Sequence, residues 1–203
     1  MRRAGKKRVL VLLSVALVSL GALTLGGTSV SAAGGKLRCF ADAPATCTLN
    51  SATSATINTT TGGDAGVFLS NGKSTNGVPL ANASFSFTYF CQNTTDLRSC
   101  ISGGAPRWSI PISTDGSPTT AGYAFLDAQG CLNGGTQPSG GALTVSTAES
   151  TCPVNAFNTD YTNWAAFAAA NPTYTISGAL PFVISDVITG GAIIVSNLVV
   201  TKS

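Results

Sequence analysis

The sequence predicts an all-β protein, an antiparallel β-sandwich with one short helix and three disulfides. Three observations predict it. Several short apolar runs alternate with period two, turn dipeptides separate them at sandwich-like intervals, and six cysteines sit in a chain that opens like an export signal.

The opening comes first. Arg2, Arg3, Lys6, Lys7 and Arg8 form a positive cluster, and residues 9–27 carry no charge and are rich in Leu and Val. Small residues follow from Thr28 to Ala33. Val30 with Ala32, or Ser31 with Ala33, meets the small-residue requirement of a signal peptidase, so the expected cut falls after Ala32 or Ala33. Residues 1–33 then read as a signal peptide and 34–203 as a single secreted domain. The alternative is an uncleaved N-terminal anchor, since the apolar run approaches the roughly 20 residues that cross a bilayer. Once that segment is removed, no membrane partner is expected.

Five of the eleven basic residues lie in the first eight positions, so the rest of the chain holds six bases against eight acids. No basic patch remains to neutralise phosphates, which argues against a nucleic-acid partner. With so few charges, the surface must be wetted by Ser, Thr, Asn and backbone. That suits an extracellular β-protein better than a helical cytosolic one, whose exposed faces are rich in Glu and Lys.

The strands follow in order. Residues 67–69 form a short apolar run. Residues 83–91 place Phe85, Phe87 and Tyr89 on one face and Ser84, Ser86 and Thr88 on the other. Residues 107–112 align Trp108, Ile110 and Ile112, and residues 122–127 put Tyr123 and Phe125 together. Further strands are expected at 142–146, 173–177, 182–185 and 192–201. The last is rich in β-branched residues and is expected to be buried on both faces for part of its length. Residues 50–62, dominated by Ser, Thr and Ala, read as an edge strand or an exposed loop. Asn71-Gly72, Asn76-Gly77, Gly103-Gly104, Asp115-Gly116, Asn133-Gly134 and Gly190-Gly191 supply turns. Around 160–170 the period changes. Tyr161, Trp164, Ala165 and Ala168 recur at helical spacing, Asp160 or Thr162 is placed to cap the start, and Pro172 ends it.

Cys39, Cys47, Cys91, Cys100, Cys131 and Cys152 make an even count, which in an exported chain implies three disulfides. Six cysteines admit about 15 pairings. Their spacing favours the sequential set Cys39–Cys47, Cys91–Cys100 and Cys131–Cys152. A zinc site is disfavoured, because there is no C-x-x-C spacing and no histidine.

The absence of histidine also removes Ser-His-Asp and Cys-His nucleophiles. No phosphate-binding loop or dinucleotide fingerprint occurs. Paired carboxylates of a glycoside hydrolase would have to come from Asp115, Asp127, Asp160, Asp186 or Glu149, most of which read as turn or strand-end caps. Calcium, which oxygen ligands on sandwich loops can hold, finds no D-x-D-x-D-G run, and no cofactor is implied. Aromatic rings remain. Trp108, Tyr123, Tyr161 and Trp164 are the rings that would stack on a sugar, although the phases of Trp108 and Trp164 also fit the core and a helix anchor. Three N-x-S/T sequons, at Asn58, Asn82 and Asn93, point to exposed loops.

The runs G-A-P-R-W-S-I (104–110), Y-A-F-L-D (123–127), N-W-A-A-F-A-A-A-N-P-T-Y-T-I (163–176), L-P-F-V-I-S-D (180–186) and G-A-I-I-V-S-N-L-V-V (191–200) come in an order that resembles a loose group of secreted bacterial β-sandwich proteins of unassigned function. The resemblance implies a jelly-roll-like sandwich such as that of carbohydrate-binding modules, which often end in a D-N-I/V strand. Here Ser196 precedes Asn197 in place of the acid. The expectation is therefore a secreted, non-catalytic module whose partner is a polysaccharide or another cell-envelope component. A structural envelope protein without a small ligand is the alternative, and a two-carboxylate hydrolase is a further one.

Overall fold

The computed structural model describes residues 30–31 and 35–203; the expected signal segment therefore lies almost entirely outside the described residues. Alternation dictates the architecture. β6 (Ala83–Cys91) buries Ala83, Phe85, Phe87 and Tyr89 and turns the serines and Thr88 outward. β7 (Arg107–Ser113) buries Trp108, Ile110 and Ile112. The rings of Phe85 and Phe87 meet Trp108 edge-on at 5.6 and 6.1 Å, which joins the two sheets through one core. Edge-to-face pairs of this kind add about 0.5–1.5 kcal/mol beyond the area they bury.

The smaller sheet runs β3 (Thr46–Ser51), β4 (Ser54–Asn58), β14 (Ile193–Lys202), β6 and β9 (Leu143–Ser146), with the two-residue β1 (Val30–Ser31) against the end of β14. The larger sheet runs β11 (Thr159–Tyr161), β10 (Val154–Ala156), β8 (Gly122–Asp127), β7, β13 (Phe182–Ser185), β5 (Ala65–Leu69) and β2 (Leu37–Ala41), with β12 (Thr175–Ile176) on β7. Every strand pair described is antiparallel. The antiparallel sandwich expected from the alternation is thus the fold. Consider only β4 to β9 with β13 and β14, counted from the first. Their order is then 1-8-3-6 in one sheet and 2-7-4-5 in the other.

All three disulfides join the sequential pairs. Such bonds persist in oxidising compartments and are rare where glutathione keeps thiols reduced. Cys39–Cys47 ties β2, at the edge of the larger sheet, to β3, at the edge of the smaller one. Among the described residues, no helix is long and apolar enough to cross a membrane.

Several expectations are corrected. Residues 54–58 form neither an edge strand nor a loop. β4 lies inside the smaller sheet between β3 and β14, because Ala55 and Ile57 alternate into the core. β14 is not buried on both faces. Ile194 and Ser196 are half-exposed and Val199 is exposed, with a bulge between Ser196 and Val199 where Asn197 adopts φ 51°. The helix α2 (Trp164–Ala170) starts later than the spacing implied. Its cap is Asn163, whose side chain accepts from the Ala166 amide at 2.9 Å, because Asp160 and Tyr161 are engaged in the β10–β11 hairpin. A further helix, α1 (Ala128–Gly134), follows β8 directly. Asp127 caps it, and Gly135 closes it at φ 103°, a left-handed conformation that suits glycine.

Candidate functional site

The inner faces of both sheets fill the core, so the two outer faces are where a site can form. On the larger sheet the core phase sets the outer phase. Burying Val67 and Leu69 turns Phe68 outward, burying Val183 turns Phe182 outward, and burying Ala124 and Leu126 turns Tyr123 and Phe125 outward. On β2, Phe40 joins them. Five half-buried aromatic rings therefore stand on one solvent-facing surface.

Register fixes their arrangement. Phe68 pairs with Phe182, Phe182 with Ser109, and Ser109 with Phe125, so small β7 residues lie between the ring-bearing strands. Centroids run 6.5 Å from Phe68 to Phe40, 5.7 Å from Phe40 to Phe182, 6.0 Å from Phe182 to Tyr123, and 6.3 Å from Tyr123 to Phe125. The Tyr123 and Phe125 rings lie within 18° of parallel, whereas Phe182 meets Phe40 and Tyr123 edge-on. Gly66, the partner of Phe40 across β2–β5, makes this packing feasible. A Cβ there would stand 2.5 Å from the Phe40 ring and 2.3 Å from the Val183 carbonyl oxygen.

At the β8 end the surface turns polar. The Arg107 guanidinium lies 4.8 Å from the Phe125 centroid and forms an ion pair with Asp186 through Nη2. Asp127, the cross-strand partner of Arg107, accepts from the Gly130 amide and caps α1. Burial pushes the Asp127 carboxyl pKa up, and the Gly130 amide and the Arg107 charge offset only part of that.

The remaining acids proposed for two-carboxylate chemistry are scattered. Asp115 closes its own turn, where bonds from Ser117 and Ser113 hold its carboxyl down at about 2. Asp160 accepts from Asn155 at 2.7 Å. Exposed Glu149 lies beside a hollow lined with Thr88, Thr136 and Thr144. Asp127 and Asp186 do gather around Arg107, yet one is a helix cap and the other is ion-paired.

The four rings singled out in the sequence do not assemble. Trp108 is 0% exposed and offers no ring face to a ligand. Trp164 is 4% exposed; its indole N–H donates to the Leu80 carbonyl at 3.0 Å, anchoring α2 as its phase implied. Tyr161 packs on Phe167 at 5.0 Å, and its hydroxyl accepts from Asn171. Beside α2, an apolar hollow of about 560 Å³ is lined by Leu80, Ala83, Trp164 and Ala168. Tyr123 alone stands on the aromatic face. Phe40, Phe68, Phe125, Phe182 and Arg107 are the members that sequence reasoning missed. The signal was the phase itself, since in each strand the residues that must be core fix the ring on the opposite side.

No family model matches the chain, and no curated protein matches it.

Proposed function

We propose that the chain is an exported, non-catalytic β-sandwich module that holds a glycan or another cell-surface ligand on the aromatic outer face of its larger sheet. One observation carries this reading. Five aromatic rings share a surface where alternation ordinarily puts polar side chains. Aromatic faces stack on the apolar faces of sugars, and neighbouring Arg and Asp groups bond to hydroxyls. The disulfides support an oxidising destination, and the leader-like opening supports export. The 1-8-3-6 over 2-7-4-5 strand order supports the jelly-roll reading of the fold.

A second reading has its own observation. Phe182 meets two of its neighbours edge-on, so the row is not one flat platform, and a protein partner of the envelope would also cover it.

The test is a pull-down of the purified, oxidised protein on insoluble polysaccharides and cell-wall material. A Tyr123→Ala/Phe182→Ala variant with native unfolding behaviour runs beside it, and Tyr161→Ala serves as a control away from the face. Retention of the parent and the control, with loss of the double variant, supports the glycan reading. If nothing is retained on any polysaccharide, the envelope-protein reading takes its place.

A further inference from the structure

We propose that the aromatic face is built for an extended, uncharged polysaccharide chain lying across the strands, not for a single sugar or an acidic polymer; this rests on the glycan-binding reading above. The rings are spread along the hydrogen-bonding direction of the sheet, from Phe40 on β2 through Phe182 on β13 to Tyr123 on β8. Centroid steps of 5.7 and 6.0 Å put Phe40 and Tyr123 at most about 12 Å apart, the length of two to three sugar rings. A monosaccharide would engage one ring or one pair and leave the rest of the row unused.

Charge argues for a neutral chain. By register the face carries Arg38 and Arg107 against Asp127, Asp160 and Asp186, so it has no excess of positive charge. Arg107 is already committed to Asp186 and to the Phe125 ring, and Arg38 lies at the far edge, on β2. An anionic polymer needs a row of available cations. A neutral one needs rings and a few fixed donors and acceptors, and the Arg107–Asp186 pair supplies these at the Phe125 end. That pair fixes where the chain ends its stacking and is a positioning element for the ligand.

Calorimetric titration with neutral oligosaccharides of increasing length tests this, using the cellulose, chitin, xylan and mannan series from monomer to hexamer. In at least one series, affinity is expected to rise by about tenfold or more from dimer to tetramer, about 1.4 kcal/mol, before levelling off. Salt should leave it unchanged. Phe40→Ala, which removes the far end of the row, should lower the length at which affinity levels off. Monomers binding as tightly as hexamers would overturn the proposal. So would salt-sensitive preference for polygalacturonate or heparin over every neutral series. Either result leaves the glycan reading standing, whereas failure of every neutral and acidic polysaccharide removes that reading as well.

Discussion

The two outer faces of the sandwich obey the same alternation and end in opposite chemistry. On the smaller sheet most outward positions are hydroxyls and amides, with Phe90, Ile194 and Val199 as apolar exceptions. Thr88 faces Thr144 across β6–β9 with their oxygens 3.3 Å apart, and Asn50 bonds Thr56 across β3–β4 at 2.9 Å. On the larger sheet the outward positions include five rings, Phe40, Phe68, Phe182, Tyr123 and Phe125. Both faces cover the same core, so packing against the core does not account for the contrast. Rings on a wet face bury only part of their surface and return less stability than the same rings inside. The hydroxyl face is what a sandwich needs to stay wetted with few charges. The ring face exceeds what folding requires, and this excess is the physical reason to assign it a ligand.

The contrast is checked first by setting core against surface on the larger sheet itself. Trp108→Ala is expected to cost about 3–5 kcal/mol in denaturant unfolding, the range for truncating a fully enclosed aromatic. Phe182→Ala, on the opposite side of the same sheet, should cost far less. Equal losses would make the outer rings a second core and not a recognition face. Opening Cys39–Cys47 by a double Cys→Ser change closes no loop in the unfolded chain. For a sequence separation of 8 it is expected to lower stability by about 2.5 kcal/mol, read from the same unfolding curves. Tyr123→Ala and Phe182→Ala singly should each cost about 1 kcal/mol or less while removing most polysaccharide retention, a split between stability and binding that a purely structural role does not produce.

The polar end of the face should show in the pH dependence of stability. Burial raises the folded pKa of Asp127 above its unfolded value, so its favourable contribution is full below the ordinary carboxylate range and is lost as pH rises through the raised value. Asp127→Asn keeps an acceptor for the α1 cap and removes the titration. Its melting temperature should therefore fall less steeply than the parent's from acid toward neutral pH, and parallel curves would count against a buried carboxyl there. The smallest effect belongs to the other face. Thr88→Val should change stability by no more than about 0.5 kcal/mol and leave retention on polysaccharide intact.

Much of the fold was legible because alternation is a strong signal where core residues are large. β6, β8 and β13 begin and end where the sequence places strands at 83–91, 122–127 and 182–185, and the sequential disulfides follow from spacing. β4 was harder to read, since a Thr/Ser/Ala run gives weak contrast until Ala55 and Ile57 are seen against β14. α1 was hidden because A-Q-G-C-L-N-G holds two glycines and no apolar period, and its start depends on the Asp127 cap. The site was the least legible. Trp108 and Trp164 drew attention by their size, but large rings are also what a core consumes. Phe40, Phe68 and Phe182 lie on three strands distant in sequence, and only the β13–β5–β2 pairing brings them into one row.

The Cys39–Cys47 bond gives that row a dependence on its surroundings. Phe40, the outermost ring, is the neighbour in sequence of a half-cystine, on a strand that has the rest of its sheet on one side only. With the bond formed, the strand is clamped to the opposite sheet and the row keeps its full breadth. Without it, β2 would keep its pairing to β5 and lose its tie to the opposite sheet. On the ligand-holding reading proposed above, forming this bond in an oxidising compartment would complete the surface offered to the ligand.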